Sequence, residues 1–325
     1  MIIEAKSKTF LVGEYCVMCG GSAILLCTDP AFKLRIKKST SSIIRGIPEG
    51  SPAFTFYQKH RRIFDNLFIK FIDPYKGTGG FGASSAQFVL LYKLYRRLTN
   101  QSDQSEITNQ SGIIDITENI DITENSNATS NSNANTEKNS AENVFDKNIS
   151  ELLNEYRKIS AKNQLVKPSG ADCVAQMHNH HIYFDSNNNK IENLIWNFKE
   201  IDFAIVKTGN KLSTHEHLRN LSPDFVYKNC AQLTKIVKAV KQSWIQCEAK
   251  AFSANIMDFF HALNEIGLVA VETNKLVKKI LEIEGVLAAK GCGAMAADTI
   301  VVIFEKKSKN KIIKLIKNIL KKSRF

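Results

Sequence analysis

A glycine-rich segment, residues 77–87, contains the residues whose types and spacing most clearly predict chemistry. Four of its first six residues are glycine, and two serines precede a helix-like stretch at residues 87–95. Glycines permit backbone conformations that a Cβ atom forbids. Free N–H groups and the positive end of the helix dipole converge at the start of a helix and attract anions. The segment therefore predicts a phosphate-binding loop.

Two well-known phosphate-binding loops share features with this segment but do not match it. Gly77, Gly79 and Gly82 satisfy the pattern G-x-G-x-x-G, yet Pro74 and Lys76 interrupt the strand that should come directly before it. That loop also needs an acidic residue about 20 positions later, and none fits. The Walker A pattern G-x-x-x-x-G-K-[ST] is absent from the chain. For the segment taken alone, a glycine-rich turn without a ligand remains the alternative.

Three other segments combine glycines with charged side chains. Residues 8–21 contain Lys8 and the turn Gly13-Glu14-Tyr15, residues 169–175 contain Ser169-Gly170-Ala171-Asp172, and residues 290–298 are again rich in glycine. Taken alone, three of these residues have ordinary interpretations: a helix cap at Asp172, a solvated strand lysine at Lys8, and a lysine-paired turn carboxylate at Glu14.

In this order, the four segments resemble the motifs of the galactokinase, homoserine kinase, mevalonate kinase and phosphomevalonate kinase (GHMP) superfamily. Gly80-Phe81-Gly82-Ala83-Ser84-Ser85-Ala86 is similar to the family's G-L-G-S-S-A. Residues 8–21 resemble its opening strand and G-E-(H/Y) turn, and residues 169–175 resemble the S-G-x-D segment with its catalytic aspartate. Residues 290–298 resemble its last glycine-rich loop, although Met295-Ala296-Ala297 stands where the family commonly has glycines.

The resemblance implies an ATP-dependent small-molecule kinase and a role for each matching residue. Asp172 is the expected catalytic base or orienting group, and Lys8 is its expected partner. Mg²⁺ is expected between Glu14 and a hydroxyl of Ser84 or Ser85. The residues expected to hold the ATP phosphates are Gly80, Gly82, Ala83, Ser84 and Ser85. The residues expected to contact substrate are Glu14, Tyr15, Ser169, Gly170, Thr208 and Gly293.

The resemblance also bears on the acceptor. Tyr15 after Glu14 is more similar to phosphomevalonate kinases than to mevalonate kinases, so we expect phosphomevalonate or mevalonate as the small-molecule substrate. The sugar-recognition signature of galactokinases and the serine-rich segment of the related decarboxylase are absent. The alternatives are another member such as homoserine kinase, or a binding protein that has kept the fold without turnover.

The fold implied by the resemblance is a two-domain α+β architecture. Residues 1–197 are expected to form an ATP-binding domain similar to ribosomal protein S5 domain 2, and residues 198–325 a ferredoxin-like α/β sandwich. Hydrophobic patterns predict strands at residues 9–12, 22–28, 31–37, 53–57 and 203–206. They predict helices after the glycine-rich turn to about residue 100, then at residues 149–159 with Ser150 as N-cap, and at residues 222–247, 250–265 and 271–283.

Composition changes abruptly at about residues 101–147. From Gln101 to Asn143 no residue is aromatic, only Lys138 is basic, and the hexapeptide Ile-Asp-Ile-Thr-Glu-Asn occurs twice in tandem. Such a tract cannot bury enough apolar surface to offset its ordering entropy, about 1–2 kcal/mol per residue. We expect a disordered insertion in a loop between two helices.

Net charge and composition indicate which classes of molecule the protein is expected to bind. The chain has a net charge of +12, which favours an anionic partner, but no basic motif studded with aromatic residues predicts nucleic-acid binding. We read the lysine-rich residues 306–322 as a last helix with a solvated basic face, and expect no stable membrane association.

Apolar runs and cysteine content indicate the cellular compartment in which the protein is expected. No apolar run reaches the ~20 residues of a membrane span, and we expect a cytoplasmic protein. The sequence is compatible with a homodimer. Seven scattered cysteines disfavour a disulfide framework, and His178, His180 and His181 are expected in a solvated turn rather than a metal site.

Overall fold

The computed structural model describes residues 1–107, 147–161, 168–208, 223–293 and 299–322. Most of the predicted insertion lies outside the described residues, as do residues 209–222 and Met295-Ala296-Ala297. Within the described ranges, no helix is both long enough and apolar enough to cross a membrane.

The first part of the chain forms a six-stranded sheet around one long strand. The strands are β1 Ile2–Val12, β2 Ser22–Lys38, β3 Ile43–Arg45, β4 Leu67–Ile72, β5 His181–Asp185 and β6 Lys190–Leu194. β2 is long enough to pair antiparallel with β1, β4 and β5 at different positions. The pairing register places Lys8 of β1 opposite Cys27 of β2.

Four described helices accompany this sheet: α1 Pro52–Lys59, α2 Ala83–Ile107, α3 Lys147–Ser160 and α4 Ala171–His178. In α2 the consecutive residues Phe88, Val89, Leu90 and Leu91 are all fully buried. A helix that is apolar on every side must be covered on every side. α2 contacts β1 and β2 as well as α1, α3 and α4, and its central position fixes where its N-terminus points.

The second part of the chain is a three-stranded antiparallel sheet with its own helices. Its strands are ordered β7-β9-β8: β7 Ile201–Lys207, β8 Val286–Cys292 and β9 Thr299–Glu305. Its described helices are α5 Pro223–Ile245, α6 Ala249–Glu265, α7 Val271–Leu281 and α8 Lys309–Lys322. Ile312 and Ile316 of α8 are buried and its lysines 311 and 317 are exposed, as predicted for a terminal helix with a solvated basic face.

One hydrophobic core joins the two sheets. It contains Leu11 and Tyr15 from the first part together with Phe259, Val301 and Ile303 from the second. The first sheet ends at Leu194 and the second begins at Ile201. The predicted boundary at residues 197/198 falls between them and stays a prediction.

The structure corrects several predicted elements. Residues 53–57 form helix α1 and not a strand, because Ser51 caps the helix by accepting a hydrogen bond from the Phe54 amide at 3.1 Å and Pro52 occupies the first turn. Residues 22–28 and 31–37 belong to one strand, β2, and β4 was not predicted. Ser150 lies inside α3 and does not cap it.

The cysteine and histidine predictions are also corrected. A disulfide joins Cys19 to Cys230, whose Cα atoms are 6.6 Å apart, because the turn after Glu14 rests on α5. His181 begins strand β5 instead of a solvated turn, and its Nδ1 accepts a hydrogen bond from the Cys27 amide at 3.0 Å. Among the described residues no group of three histidine, cysteine or acidic side chains could hold a metal ion.

Candidate active site

Lys8 and Asp172 form an ion pair at the centre of the candidate site. The distance from Lys8 Nζ to Asp172 Oδ2 is 2.9 Å, and the side chains are 9% and 32% exposed. Lys8 lies on β1, and its ammonium is 4.9 Å from the centre of the Phe10 ring. Asp172 lies in the first turn of α4, where the helix dipole favours a negative charge. The pair therefore presents a partly exposed carboxylate that is neutralised from one side.

The turn before α4 positions Asp172. Gly170 has φ of +76°, and a Cβ atom there would lie 2.4 Å from Leu153 Cδ2. The Arg157 guanidinium donates two hydrogen bonds to the Ser169 carbonyl, at 3.0 and 2.7 Å, and the Ser169 hydroxyl accepts one from the Ala171 amide at 3.3 Å. Ser169 and Gly170, predicted to contact substrate, thus shape the turn that presents Asp172.

The glycine-rich turn lies directly against Lys8. The Lys8 amide donates to the Phe81 carbonyl at 2.9 Å, and a Cβ atom on Gly82 would approach Lys8 Cε to 2.7 Å. The buried amide of Gln176 in α4 donates to the carbonyls of Gly82 and Lys6, each at 3.1 Å. One side chain of α4 thus ties the turn to β1, and the predicted phosphate loop lies beside the predicted base.

The start of α2 offers donors for an anion. The first helical hydrogen bond runs from the Ala86 amide to the Gly82 carbonyl at 2.9 Å, so the amides of Ala83, Ser84 and Ser85 have no acceptor within the helix. The first turn contains no acidic residue. The buried Ser85 hydroxyl donates to the Gly82 carbonyl at 3.0 Å, whereas Ser84 is exposed. The arrangement fits a phosphate group, and the Ser84 hydroxyl is an oxygen ligand of the kind that Mg²⁺ prefers.

Two further residues fix the ends of the glycine-rich turn. The Asp73 carboxylate accepts hydrogen bonds from the amides of Tyr75 and Gly77, both at 2.7 Å. At the other end, Gly80 has φ of +84°, and a Cβ atom there would lie 2.6 Å from Thr299 Oγ1. Thr299 is the first residue of β9, so this strand begins beside the glycine-rich turn.

Glu14 forms a buried ion pair with Lys290. Lys290 Nζ lies 2.8 Å from Glu14 Oε1, and the side chains are 0% and 4% exposed. Burial raises the pKa of Glu14, and the Lys290 ammonium opposes that rise. Among the described residues no hydrogen bond or ion pair connects Glu14 with Ser84. The pairing of Oε1 with Lys290 matches the alternative interpretation of Glu14, whereas Oε2 is buried without a hydrogen-bond partner among the described residues. Glu14 as a Mg²⁺ ligand stays a prediction.

The remaining predicted substrate residues lie next to the site in different settings. Tyr15 is part of the core, and burial raises the pKa of its hydroxyl well above the usual value. Tyr15 and Gly293 line a cavity of about 10 Å³ together with Glu14. Thr208 is buried directly after β7, next to Lys207, whose ammonium lies 5.1 Å from the Tyr75 ring. The structure thus brings Lys8, Asp172 and the glycine-rich turn together. Tyr15, in contrast, is buried in the hydrophobic core.

Four residues of the site were not predicted from the sequence: Asp73, Gln176, Lys207 and Lys290. Asp73 has a local signal, because an aspartate before a turn often accepts amide hydrogen bonds two residues on. Gln176 and Lys290 act over sequence separations of 94 and 276 residues, which no local pattern reveals.

The fold is similar to that of several solved small-molecule kinases. No protein-family model matches the sequence, and no curated protein matches it. Mevalonate kinase from L. major, in complex with R-mevalonate, is 16% identical with a TM-score of 0.64, over 100% of this chain and 94% of that one. Streptococcus pneumoniae phosphomevalonate kinase, with phosphomevalonate and AMPPNP, is 12% identical with a TM-score of 0.68, over 98% and 97%. Lactococcus lactis galactokinase, in complex with galactose, is 12% identical with a TM-score of 0.68, over 99% of this chain and 89% of that one. The chain therefore has the fold of the GHMP kinases, the superfamily that its four motifs resemble.

Proposed function

We propose that this protein is an ATP-dependent kinase that phosphorylates mevalonate or phosphomevalonate in the cytoplasm. The observation that carries the proposal is the contact between the Lys8–Asp172 pair and the glycine-rich turn at Gly82. Phosphoryl transfer depends on positioning and charge neutralisation, and this arrangement places a carboxylate and an ammonium next to the free amides at the start of α2.

The anion site is proposed to hold the ATP phosphates. The free amides of Ala83, Ser84 and Ser85 would bind phosphate oxygens, and Gly80 and Gly82 keep the backbone open to them. When bound, ATP supplies the phosphoryl group and Mg²⁺ neutralises part of its charge. The Ser84 hydroxyl would be one metal ligand, and Glu14 would offer its Oε2 atom as a second while Oε1 pairs with Lys290.

Asp172 is proposed to orient the acceptor oxygen and to take its proton. As a bond forms between that oxygen and the γ-phosphorus, the bond from the γ-phosphorus to the ADP oxygen breaks. Lys8 would hold the Asp172 carboxylate in position through their ion pair and stabilise negative charge on the transferring group. For an acceptor that is already phosphorylated, the reacting oxygen carries no proton at neutral pH, and Asp172 and Lys8 would act by positioning alone.

The choice of acceptor is supported by structural similarity and by charge. Similar folds occur in proteins crystallised with R-mevalonate and with phosphomevalonate, and the net charge of +12 suits an anionic substrate. A galactokinase shares the fold to the same degree. Homoserine kinase activity, and a binding protein without turnover, remain the alternatives. A homodimer stays a prediction.

A direct assay tests the proposal. Purified full-length protein is incubated with ATP and Mg²⁺ and, separately, with mevalonate, phosphomevalonate, homoserine or galactose, and ADP release is measured. We expect turnover of one of the first two acceptors and its loss in Asp172→Ala, with the melting temperature of the variant close to that of the parent. A folded protein that binds ATP and turns over none of the four would contradict the kinase proposal.

A further inference from the structure

A second cavity lies at the end of the second sheet that is remote from the glycine-rich turn. It has a volume of about 810 Å³ and is lined by the start of β7, the first turns of α6, the start of β8 and the end of β9. The glycine-rich turn lies beside Thr299 at the other end of β9. At ~3.3 Å per residue, the length of β9 separates the two by roughly 20 Å. The cavity is therefore distinct from the candidate active site.

Positive charge dominates the lining of this cavity. Four lysines and two glutamates line it: Lys199, Lys250, Lys306, Lys307, Glu200 and Glu305. Lys307 is paired with Glu305 at 3.1 Å. Within the described ranges, the other three lysines form no ion pair. The cavity thus has an excess of uncompensated ammonium groups, which favours an anionic occupant.

The start of α6 adds hydrogen-bond donors to the same cavity. The first helical hydrogen bond runs from the Phe252 amide to the Glu248 carbonyl at 2.8 Å, so the amides of Ala249, Lys250 and Ala251 have no acceptor in the helix. The Glu248 side chain does not cap them, and the first turn contains no acidic residue. A helix start of this kind binds anions.

Ser253 gives independent support for a ligand. It lines the cavity and is only 5% exposed. Its hydroxyl is buried without a hydrogen-bond partner among the described residues. Buried hydroxyls are nearly always hydrogen-bonded, so an unpaired one beside a cavity indicates a missing acceptor or donor.

The rest of the lining is apolar. Ile201 is buried and Leu287 is 36% exposed, and both line the cavity together with Ala254. Small-molecule sites typically combine an apolar lining with a few placed polar groups in a volume of ~300–1,000 Å³. An inorganic ion alone would leave this apolar surface uncovered.

We propose that this cavity binds a small amphipathic anion. Its phosphate or carboxylate head would bind the amides at the start of α6, Lys250 and the Ser253 hydroxyl. Its apolar part would lie along Ile201 and Leu287. The site goes beyond the proposed kinase reaction and does not depend on it.

Calorimetric titration of the full-length protein tests the site. The probes are n-hexyl phosphate, hexanoate, the neutral n-hexanol and inorganic phosphate. We expect saturable binding of hexyl phosphate or hexanoate, at least tenfold weaker binding of inorganic phosphate, and none of hexanol. Preference for one head group over the other identifies the natural head group. The absence of saturable binding of both amphipathic anions, or equal binding of hexanol, would overturn the proposal.

Variants locate the binding in this cavity. Lys250→Glu is expected to weaken binding at least tenfold, and Ala254→Trp, which fills the cavity, to abolish it. Lys275→Glu changes the same charge at an exposed position of α7 that does not line the cavity, and should have no effect. All titrations are repeated with saturating AMPPNP. Binding that survives Lys250→Glu and Ala254→Trp, or that AMPPNP abolishes, would belong to the glycine-rich turn and refute the cavity site.

Discussion

Lys290 and Glu14 join the last motif of the chain to the first through an ion pair of 2.8 Å that is almost completely buried. Lys290 also lies 5.7 Å from the centre of the Phe259 ring in α6. The pair crosses between the two sheets, because Glu14 follows β1 and Lys290 belongs to β8. Sequence alone predicts neither the contact nor its burial.

Breaking this pair is expected to destabilise the protein strongly. Lys290→Met leaves the Glu14 carboxylate buried without its partner, which should lower the free energy of unfolding by about 3–5 kcal/mol. The double variant Lys290→Met/Glu14→Gln removes both charges and should recover a large part of that loss. Urea unfolding at neutral pH measures both. Lys275→Met, at an exposed position, is the matched control, and an equal loss there would contradict the assignment.

The glycine-rich turn should tolerate no side chain at Gly82. Gly82→Ala places a Cβ atom 2.7 Å from Lys8 Cε at a φ of +83°, so both backbone strain and a clash follow. Gly50→Ala provides the control, because Gly50 has φ of +78° and nothing within 4 Å. We expect Gly50→Ala to cost about 1 kcal/mol from strain alone. Gly82→Ala should lower the melting temperature more than Gly50→Ala does, and should weaken ATP binding. Equal effects in the two variants would exclude the contact with Lys8.

The two serines at the start of α2 should behave differently. Ser84 is exposed and Ser85 is buried with its hydroxyl donating to the Gly82 carbonyl. Ser85→Ala should lower the free energy of unfolding by about 1 kcal/mol through the lost hydrogen bond. Ser84→Ala should leave stability unchanged and reduce turnover with Mg²⁺ and ATP. The reverse pattern, measured by unfolding and by ADP release, would reject Ser84 as a metal ligand.

His181 should make stability depend on pH below neutrality. Burial, with smaller contributions from Lys6 and His180, lowers its pKa from 6.5 to about 4. The unfolded chain therefore binds a proton between pH 6.5 and 4 that the folded protein does not, and stability falls as pH falls through this window. From pH 7 to pH 5 the loss should be about 2 kcal/mol.

A variant isolates this contribution. His181→Gln removes the titrating group while keeping a side chain that can accept from the Cys27 amide. Urea unfolding measures the free energy of unfolding at pH 7 and at pH 5. Its decrease between these two pH values should be smaller in the variant than in the parent, by about 2 kcal/mol. Identical pH dependence in both proteins would mean that His181 does not stay neutral in the fold.

Sequence patterns predicted the parts of the site that depend on local geometry. The glycine-rich turn and the helix after it follow from residues that lie close along the chain. The pairing of Lys8 with Asp172 joins distant segments and was predicted only from the resemblance to the family's motifs. The predicted strand at residues 53–57 was wrong, because alternating aromatic residues resemble a strand whereas the Ser51 cap and Pro52 favour a helix. The Lys290 partner of Glu14 could not be identified from sequence, because it lies 276 residues away along the chain. Burial of that kind is decided by tertiary contacts.

The two hydrogen bonds of the Gln176 amide determine when the parts of the candidate site become aligned. One buried side chain donates to both the Gly82 carbonyl and the Lys6 carbonyl, and so connects helix α4 with the glycine-rich turn and with strand β1. In the reaction that we propose, the entropy of aligning Asp172 with the glycine-rich turn would therefore be lost once, during folding, and not again in every catalytic cycle.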